Sequence, residues 1–434
     1  MSYSTPKGVF DILPNEEKAE NKWKESHRWD YLFEQLRELS RAYGFEEIST
    51  PIFEKSELFS RSIGTETDIV NKEMYTFEDK GGRSLSLRPE GTAPVMRAFI
   101  EKQMAQSSYC HKLFYTGPMF RYERQQAGRY RQFYQFGAEI VGLPSPQLDV
   151  ELIDFVYTLF QRLGLQNLTI HINSIGNKEC RAAYRKALIE YLTPHKNSLS
   201  EDSQSRFEKN PLRILDSKSP ADQKIVANAP ILSDFLEESS RQHFEEVKQW
   251  LRILKIPFVV SDKLVRGLDY YNRTVFEVVS GDLGAHNTIA AGGRYDYLLK
   301  DLNGPDLPAV GFAVGLERIL QTMDTQKCSF PHKPVPLLLL IPLGEPATQV
   351  CFQLLKELRL HNIPSEADYS EKKLKNIMRY ADKKDIPYVM IVGEEELREE
   401  NLKLKHMVTG ETEPVKLDQL ILTMKNKLHD AKLS

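Results

Sequence analysis

Two strand-like runs, KLFYTGPMFRYER (112–124) and RYRQFYQFGAEIVG (129–142), are joined by the polar QQAG. So short a connection makes them the arms of an antiparallel hairpin. Within residues 120–139 the hairpin carries four arginines, two glutamates and six aromatic residues. A core strand has no use for four guanidinium groups, and a solvated loop has none for six rings. Side chains alternate along a strand, so Arg121 and Glu123 share one face. On the returning strand Phe133, Gln135, Gly137 and Glu139 share another. If the two faces coincide, Arg121, Glu123, Gln135 and Glu139 surround one floor, with Arg129 and Arg131 near its rim. An arginine fork matches phosphate oxygens bidentately. A glutamate accepts from an amino group or an imidazole N–H, and the rings supply a flat apolar wall. Such a floor suits a nucleoside triphosphate beside an amino-bearing small molecule. The plainer reading of the same residues is a salt-bridged surface hairpin.

The chain has 434 residues, more than one core usually supports, since domains stop growing near ~250–300 residues. Two or three domains are expected. Hydrophobic residues make up 41% and charged residues 27% of an ordinary soluble composition. The net charge of −3 does not suggest a general polyanion binder, so any nucleic-acid contact must use local basic patches. Cys110, Cys180, Cys328 and Cys351 form no CxxC pair, which fits a reducing cytosol better than a zinc site or a disulfide framework. The opening MSYSTPKGVFDILPNEE lacks the apolar run of a signal peptide. LLLLI (337–341) is far too short to cross a membrane and reads as a buried strand.

Helix spacing runs from Glu25 to Tyr43, and Gly44 supplies its stop. FEEISTPIFE (45–54) reads as extended, and Pro51 marks an edge or an interface. Residues 84–104 read as a strand, a turn at Pro89–Gly91 and a helix. The character then changes, and 174–255 reads as a mostly helical insertion. Strand patterns return at 264–280 and 286–299, and 308–323 reads as a strand followed by a helix. Residues 324–334 are a linker. From 335 to 434 strands and helices alternate as a separate α/β unit.

FRYER…GRYRQF resembles the second signature of class II aminoacyl-tRNA synthetases. VGFAVGLERIL (310–320) resembles their third, and the helix and strand ending at Pro51 resemble their first. LVRGLDYYNRTVFE and AAGGRYDYLL are similar to two signatures peculiar to the histidyl-tRNA synthetase family. The resemblance spans essentially the whole chain. It implies an α+β fold, with an antiparallel six-stranded sheet flanked by helices (1–173 and 256–323). A helical insertion (174–255) and a C-terminal α/β anticodon-binding domain (335–434) complete it. It also implies a cytoplasmic homodimer with no membrane association. The substrates would be histidine, ATP with Mg²⁺, and tRNA(His), with no metal held by the protein alone.

The resemblance also distributes roles. Arg121, Arg266 and Arg318 are the catalytic cations. Arg121 holds the α-phosphate and the substrate carboxylate, Arg266 reaches the α-phosphate from the opposite side, and Arg318 lies near the γ-phosphate. Glu123 faces the adenine amino group, and Arg129 is placed to touch the outer phosphates. Histidine is bound by Glu90, Gly91, Thr92, Gln135, Glu139, Tyr270, Tyr271 and Tyr295, with Glu139 as the imidazole reader. Gly292 and Gly293 permit close backbone approach. Arg124 and Gln126 meet the tRNA acceptor end, the insertion embraces the acceptor arm without editing, and the tail meets the anticodon. Gln125 stands where relatives have proline, and TIAAGGRYDYL carries fewer glycines than the family pattern.

Three rivals are weaker. A non-catalytic regulatory subunit of histidine biosynthesis shares the catalytic fold, but typically lacks the tail and erodes the ATP-binding arginines. A synthetase for another amino acid does not fit RGLDYY and GGRYD. A binding module without catalysis leaves the carboxylates unexplained.

Overall fold

The computed structural model describes residues 3–433 apart from residue 66, 124–127, 216, 218, 283–286 and 371. The chain divides into two compact units, 1–331 and 332–434.

The first unit is built on six antiparallel strands. Their spatial order is His111–Phe120, Gln132–Val141, Ala309–Gly315, Thr288–Arg294, Asn272–Ser280 and Leu168–Ser174. The short strands Glu46–Glu47 and Val259–Val260 pair in parallel at the two edges. Period-two patterning assigns the two faces of this sheet different tasks. Phe136, Ala138 and Ile140 point to a face covered by the helices Ser26–Ala42, Pro146–Arg162, Glu238–Ile253 and Leu316–Thr325. Phe136 stacks on Phe155 there, with ring centroids 5.7 Å apart. Burying such a ring contributes roughly 1.5–3 kcal/mol. Phe133, Gln135, Gly137 and Glu139 point the other way, and that face carries the candidate site.

Beneath the helices, Arg294 is fully buried. It pairs with Asp149 and Asp296, and His243 lies 3.3 Å from Asp149. This network pins the helices Pro146–Arg162 and Glu238–Ile253 to the end of the strand Thr288–Arg294.

Three features differ from the sequence reading. The hairpin strands stop at Phe120 and resume at Gln132, so the connection is longer than QQAG. Beyond Phe120 the Arg121 N–H still reaches the Arg131 carbonyl at 3.0 Å, but Tyr122 donates to the Glu73 carbonyl at 2.7 Å and Arg131 to the Gly8 carbonyl at 2.7 Å. Arg121, Glu123 and Arg129 therefore stand on the connection rather than on strands. Second, Phe244, Val247 and Leu251 of the helix Glu238–Ile253 join the sheet's own core, although they fall within 174–255. Third, the helix Leu316–Thr325 extends into the stretch read as linker, where Phe330 packs on Tyr31 with centroids 6.0 Å apart.

A small three-stranded sheet not foreseen from sequence is formed by Phe53–Lys55, Ser84–Leu87 and Thr76–Glu78, in that spatial order. Pro51, Ile52, Phe53 and Phe77 are exposed beside one another in sequence or across this sheet. Between 174 and 237 the chain forms the helices Lys178–Leu192, Glu201–Lys209 and Pro220–Val226 with short 3₁₀ turns. Asp222 knits this segment together. It accepts from the hydroxyls of Ser200, Ser203 and Ser217 at 2.6, 2.6 and 2.5 Å.

In the second unit Leu338–Pro342 lies between Ser365–Ala367 and Tyr388–Val392, parallel to both. Asn401–His406 and Thr412–Lys416 extend the sheet antiparallel. Helices Glu345–Leu360, Leu374–Lys383 and Leu420–Leu433 accompany it. The buried strand expected at 337–341 is the centre of this sheet. Among the described residues, no helix is long and apolar enough to cross a membrane.

Candidate active site

A cavity of about 880 Å³ lies on the face of the sheet that displays Phe133 and Gln135. One wall comes from the hairpin connection and the start of the helix Leu316–Thr325. Arg121 donates through Nε to the Pro89 carbonyl at 2.8 Å, and its guanidinium lies 5.3 Å from the Phe133 ring centroid. Arg129 Nη1 lies 3.0 Å from Glu123 Oε2. Arg318 donates to the backbone carbonyls of Thr288 and Gly128 at 2.5 and 3.1 Å. Burial, with Arg129 and Arg121 nearby, pushes the Arg318 guanidinium below its usual range. Arg121, Arg129 and Arg318 outnumber Glu123 and Glu73 here, and the excess of positive charge suits a polyanion.

Next to Arg121 the site turns acidic and buried. Glu90 stands just before the helix Thr92–Glu101 and accepts from the N–H groups of Thr92 and Ala93 at 2.7 and 2.9 Å. It thus satisfies two of the donors that a helix start leaves open. Burial pushes its carboxyl upward. Glu139 accepts from the Thr92 hydroxyl at 2.7 Å and from the Tyr295 hydroxyl. Burial drives Glu139 up to about 8, against the lowering effect of those two bonds. Tyr270, Tyr271 and Tyr295 pack as a cluster, with Tyr270 and Tyr271 centroids 4.7 Å apart.

Of the residues singled out from sequence, Arg121, Glu123, Arg129, Arg266, Arg318, Glu90, Thr92, Gln135, Tyr270 and Tyr271 line this one cavity. Glu139 and Tyr295 form the layer beneath it, at 0% and 1% exposure. Gly91 caps the helix Thr92–Glu101 between them. Arg266 Nη1 lies 3.1 Å from Glu277, and its Nε is buried without a hydrogen-bond partner among the described residues. Arg124 and Gln126 lie outside the described residues.

The sequence reading missed several cavity residues. Tyr115, Glu73 and Glu317 all line it. Glu317 is buried, accepts from the Tyr134 N–H at 2.8 Å and is pushed up to about 8 by burial. Its place beside Arg318 in GLER was the available signal. Arg206 and Arg213 reach the cavity from the helical segment. Arg206 pairs with Asp68 at 3.5 Å, joining that segment to the rim. Contacts of this kind leave no trace in spacing.

Among the described residues no group of three or more His, Cys, Asp or Glu side chains is arranged to hold a metal ion. The four cysteines are free.

Comparison with known proteins gives the same reading as the geometry. The family model for histidyl-tRNA synthetase matches residues 9–319, and that for an anticodon binding domain matches 338–427. The chain is 56% identical to the histidine–tRNA ligase of Protochlamydia amoebophila (strain UWE25), covering 98% of this chain and 100% of that one. It is 44% identical to the histidine–tRNA ligase of Bacillus subtilis (strain 168), covering 98% and 99%. The crystal structure of apo S. aureus histidyl-tRNA synthetase superposes with a TM-score of 0.81 at 37% identity, covering 98% of this chain and 100% of that one. The chain belongs to the histidyl-tRNA synthetase family.

Proposed function

We propose that this chain is a histidine–tRNA ligase, which makes histidyl-adenylate from histidine and ATP and then passes histidine to tRNA(His). One observation carries the reading. Arg121, Glu123, Arg266 and Arg318 share a cavity with Glu90, Thr92 and Gln135, in a chain that matches the family along its length. The relatives' names and the intact arginines disfavour a non-catalytic regulatory subunit.

In the first step a carboxylate oxygen of histidine attacks the α-phosphorus of ATP. The new P–O bond forms as the bond to pyrophosphate breaks. Both reactants are anions, so fixed cations must lower their repulsion and hold the charge that develops. Arg121 takes the α-phosphate and the carboxylate, Arg266 takes the α-phosphate from another side, and Arg318 takes the γ-phosphate. Arg129 meets the outer phosphates, and Glu123 accepts from the adenine amino group. ATP enters as its Mg²⁺ complex, with the ion held mainly by phosphates and water. Glu90, Gly91, Thr92, Gln135, Tyr270 and Tyr271 hold the amino acid, and Glu139, oriented by Tyr295, reads the imidazole.

In the second step a ribose hydroxyl of the tRNA's terminal adenosine attacks the acyl carbon and AMP leaves. Arg124 and Gln126 serve the acceptor end. The helical segment embraces the acceptor arm, and the second unit reads the anticodon. The exposed Ile52, Phe53 and Phe77 support a homodimer in which a second copy covers that face, since contiguous exposed apolar residues mark association surfaces. The site of action is the cytoplasm. The direct test is charging of a tRNA(His) transcript by the purified chain. Acylation should require histidine, ATP and Mg²⁺ together. Absence of acyl-tRNA with all three present would sink the reading.

A further inference from the structure

We propose that the Tyr115 hydroxyl is a further specificity-determining group, accepting a hydrogen bond from the imidazole ring of bound histidine. The inference rests on the reading of this cavity as the histidine pocket. Tyr115 lines the cavity at 3% exposure, and its buried Oη lies close to Thr92 and Glu139 without a hydrogen bond of good geometry to either. A buried hydroxyl left unpaired costs free energy that simple packing would avoid. Phenylalanine would fill the same slot without that cost.

The slot itself is built for this ring. Tyr115 sits directly across the hairpin from Gly137. A Cβ on Gly137 would stand 2.3 Å from Tyr115 Oη, and one on Gly91 would stand 2.1 Å from the ring. Two positions thus forgo a side chain so that one phenol can reach the floor. Its oxygen lies over Gly137, between Gln135 and Glu139 on the same strand face. Gln135 Oε1 is likewise buried without a partner among the described residues. Two cavity oxygens on one face of the hairpin can accept from a ligand that carries more than one N–H group.

The neighbouring polar groups are already engaged. Thr92 gives its hydroxyl to Glu139, Tyr295 gives its own to the other Glu139 oxygen, and Glu90 caps two backbone N–H groups. Tyr115 joins Tyr270 and Tyr271 as a cavity hydroxyl that can meet a substrate. Burial pushes the phenol well above its usual range, so it stays neutral and keeps both a proton and lone pairs.

Tyr115→Phe deletes the oxygen and keeps the ring between Gly91 and Gly137. In ATP–pyrophosphate exchange it should raise KM for histidine roughly 10- to 100-fold, the range for a hydrogen bond to a charged or strongly polar partner. KM for ATP and the melting temperature should stay unchanged. Inhibition by imidazolepropionate, which has the ring but no ammonium group, should weaken in parallel. Unweakened inhibition by imidazolepropionate would assign the hydroxyl to the ammonium group and overturn the proposal. So would an unchanged KM for histidine, or a loss shared by ATP with a lowered melting temperature. Glu139→Gln is assayed alongside. If it raises KM for histidine and Tyr115→Phe does not, the pocket stands and the Tyr115 inference falls. If neither does, the histidine pocket itself is misassigned.

Discussion

Thr92 donates its hydroxyl to Glu139 Oε1 at 2.7 Å, tying the first turn of the helix Thr92–Glu101 to the deepest carboxylate beneath the cavity floor. The bond holds Glu139 in one rotamer and leaves its charge state to burial. Glu139→Gln keeps the size and removes the acid. The histidine concentration needed for half-maximal exchange should rise roughly 10- to 100-fold, with little change for ATP. Steady-state exchange kinetics check this. A variant weakened toward ATP but normal toward histidine would move Glu139 to the nucleotide side.

Glu139 and Glu317 are each pushed up to about 8 by burial. Between the ordinary glutamate range and pH 8 the unfolded chain has released protons that the folded chain keeps. Stability must therefore fall as pH rises through that window. Asp222 does not blunt the trend. Its serine bonds hold it down to about 2 against the effect of burial, so its contribution disappears only in acid. Thermal melts should show a lower midpoint at pH 8.5 than at pH 5.5, and Glu317→Gln should shrink the difference. A flat or rising midpoint would mean that neither carboxyl is protonated in the fold.

The hairpin shows where sequence reasoning succeeds and where it stops. Had QQAG been the whole connection, Arg124 would oppose Arg129, and odd positions on one strand would meet even ones on the other. Gln135 would then face away from the arginines. The observed register pairs Phe120 with Gln132 and Gly117 with Gln135, so odd meets odd and the two chemical faces coincide. A slip of one residue inverts a strand's faces. Alternation alone gave the membership of each face, and the length of the connection between Phe120 and Gln132 goes with the register. The signature residues were readable because their types and spacing are chemical. Tyr115 was not, because its meaning depends on a glycine that stands opposite only after folding. The three-stranded sheet was missed for a related reason: two of its strands fall in stretches read as extended, but segments of three or four residues carry no signal for their pairing or for the strand Thr76–Glu78.

Arg266 holds Glu277 at 3.1 Å through one nitrogen, with its Nε buried and unpaired among the described residues. Removing a preorganised donor of this kind costs about 2.7–4 kcal/mol, or roughly 10²–10³ in rate. Arg266→Ala should therefore be severely defective in adenylate formation. It should be only mildly so in transferring histidine from preformed adenylate to tRNA. Arg266→Lys keeps the charge and loses the planar fork, so it should recover only part of the rate. Rapid-quench measurement of each step separates them. Normal activation by a folded alanine variant would remove Arg266 from the catalytic set.

The division between the two units falls at 331/332. Arg28 stacks on Phe330 with its guanidinium 4.4 Å from the ring centroid, so a cut near Met323 would strip packing from the first unit. A chain ending at Pro331 should keep histidine-dependent pyrophosphate exchange and lose most tRNA charging. Equal loss of both would show that the second unit supports the catalytic fold rather than tRNA recognition.

The central claim is that the cavity on this sheet activates histidine and no other amino acid. ATP–pyrophosphate exchange, run on the full chain with each of the standard amino acids in turn, tests it most directly. A site whose buried polar groups must all be met by the substrate rejects analogues that leave them unpaired by roughly 10⁴–10⁵-fold. The account predicts label exchange with histidine alone. Exchange with a different amino acid, or with none while the chain is folded, would contradict it.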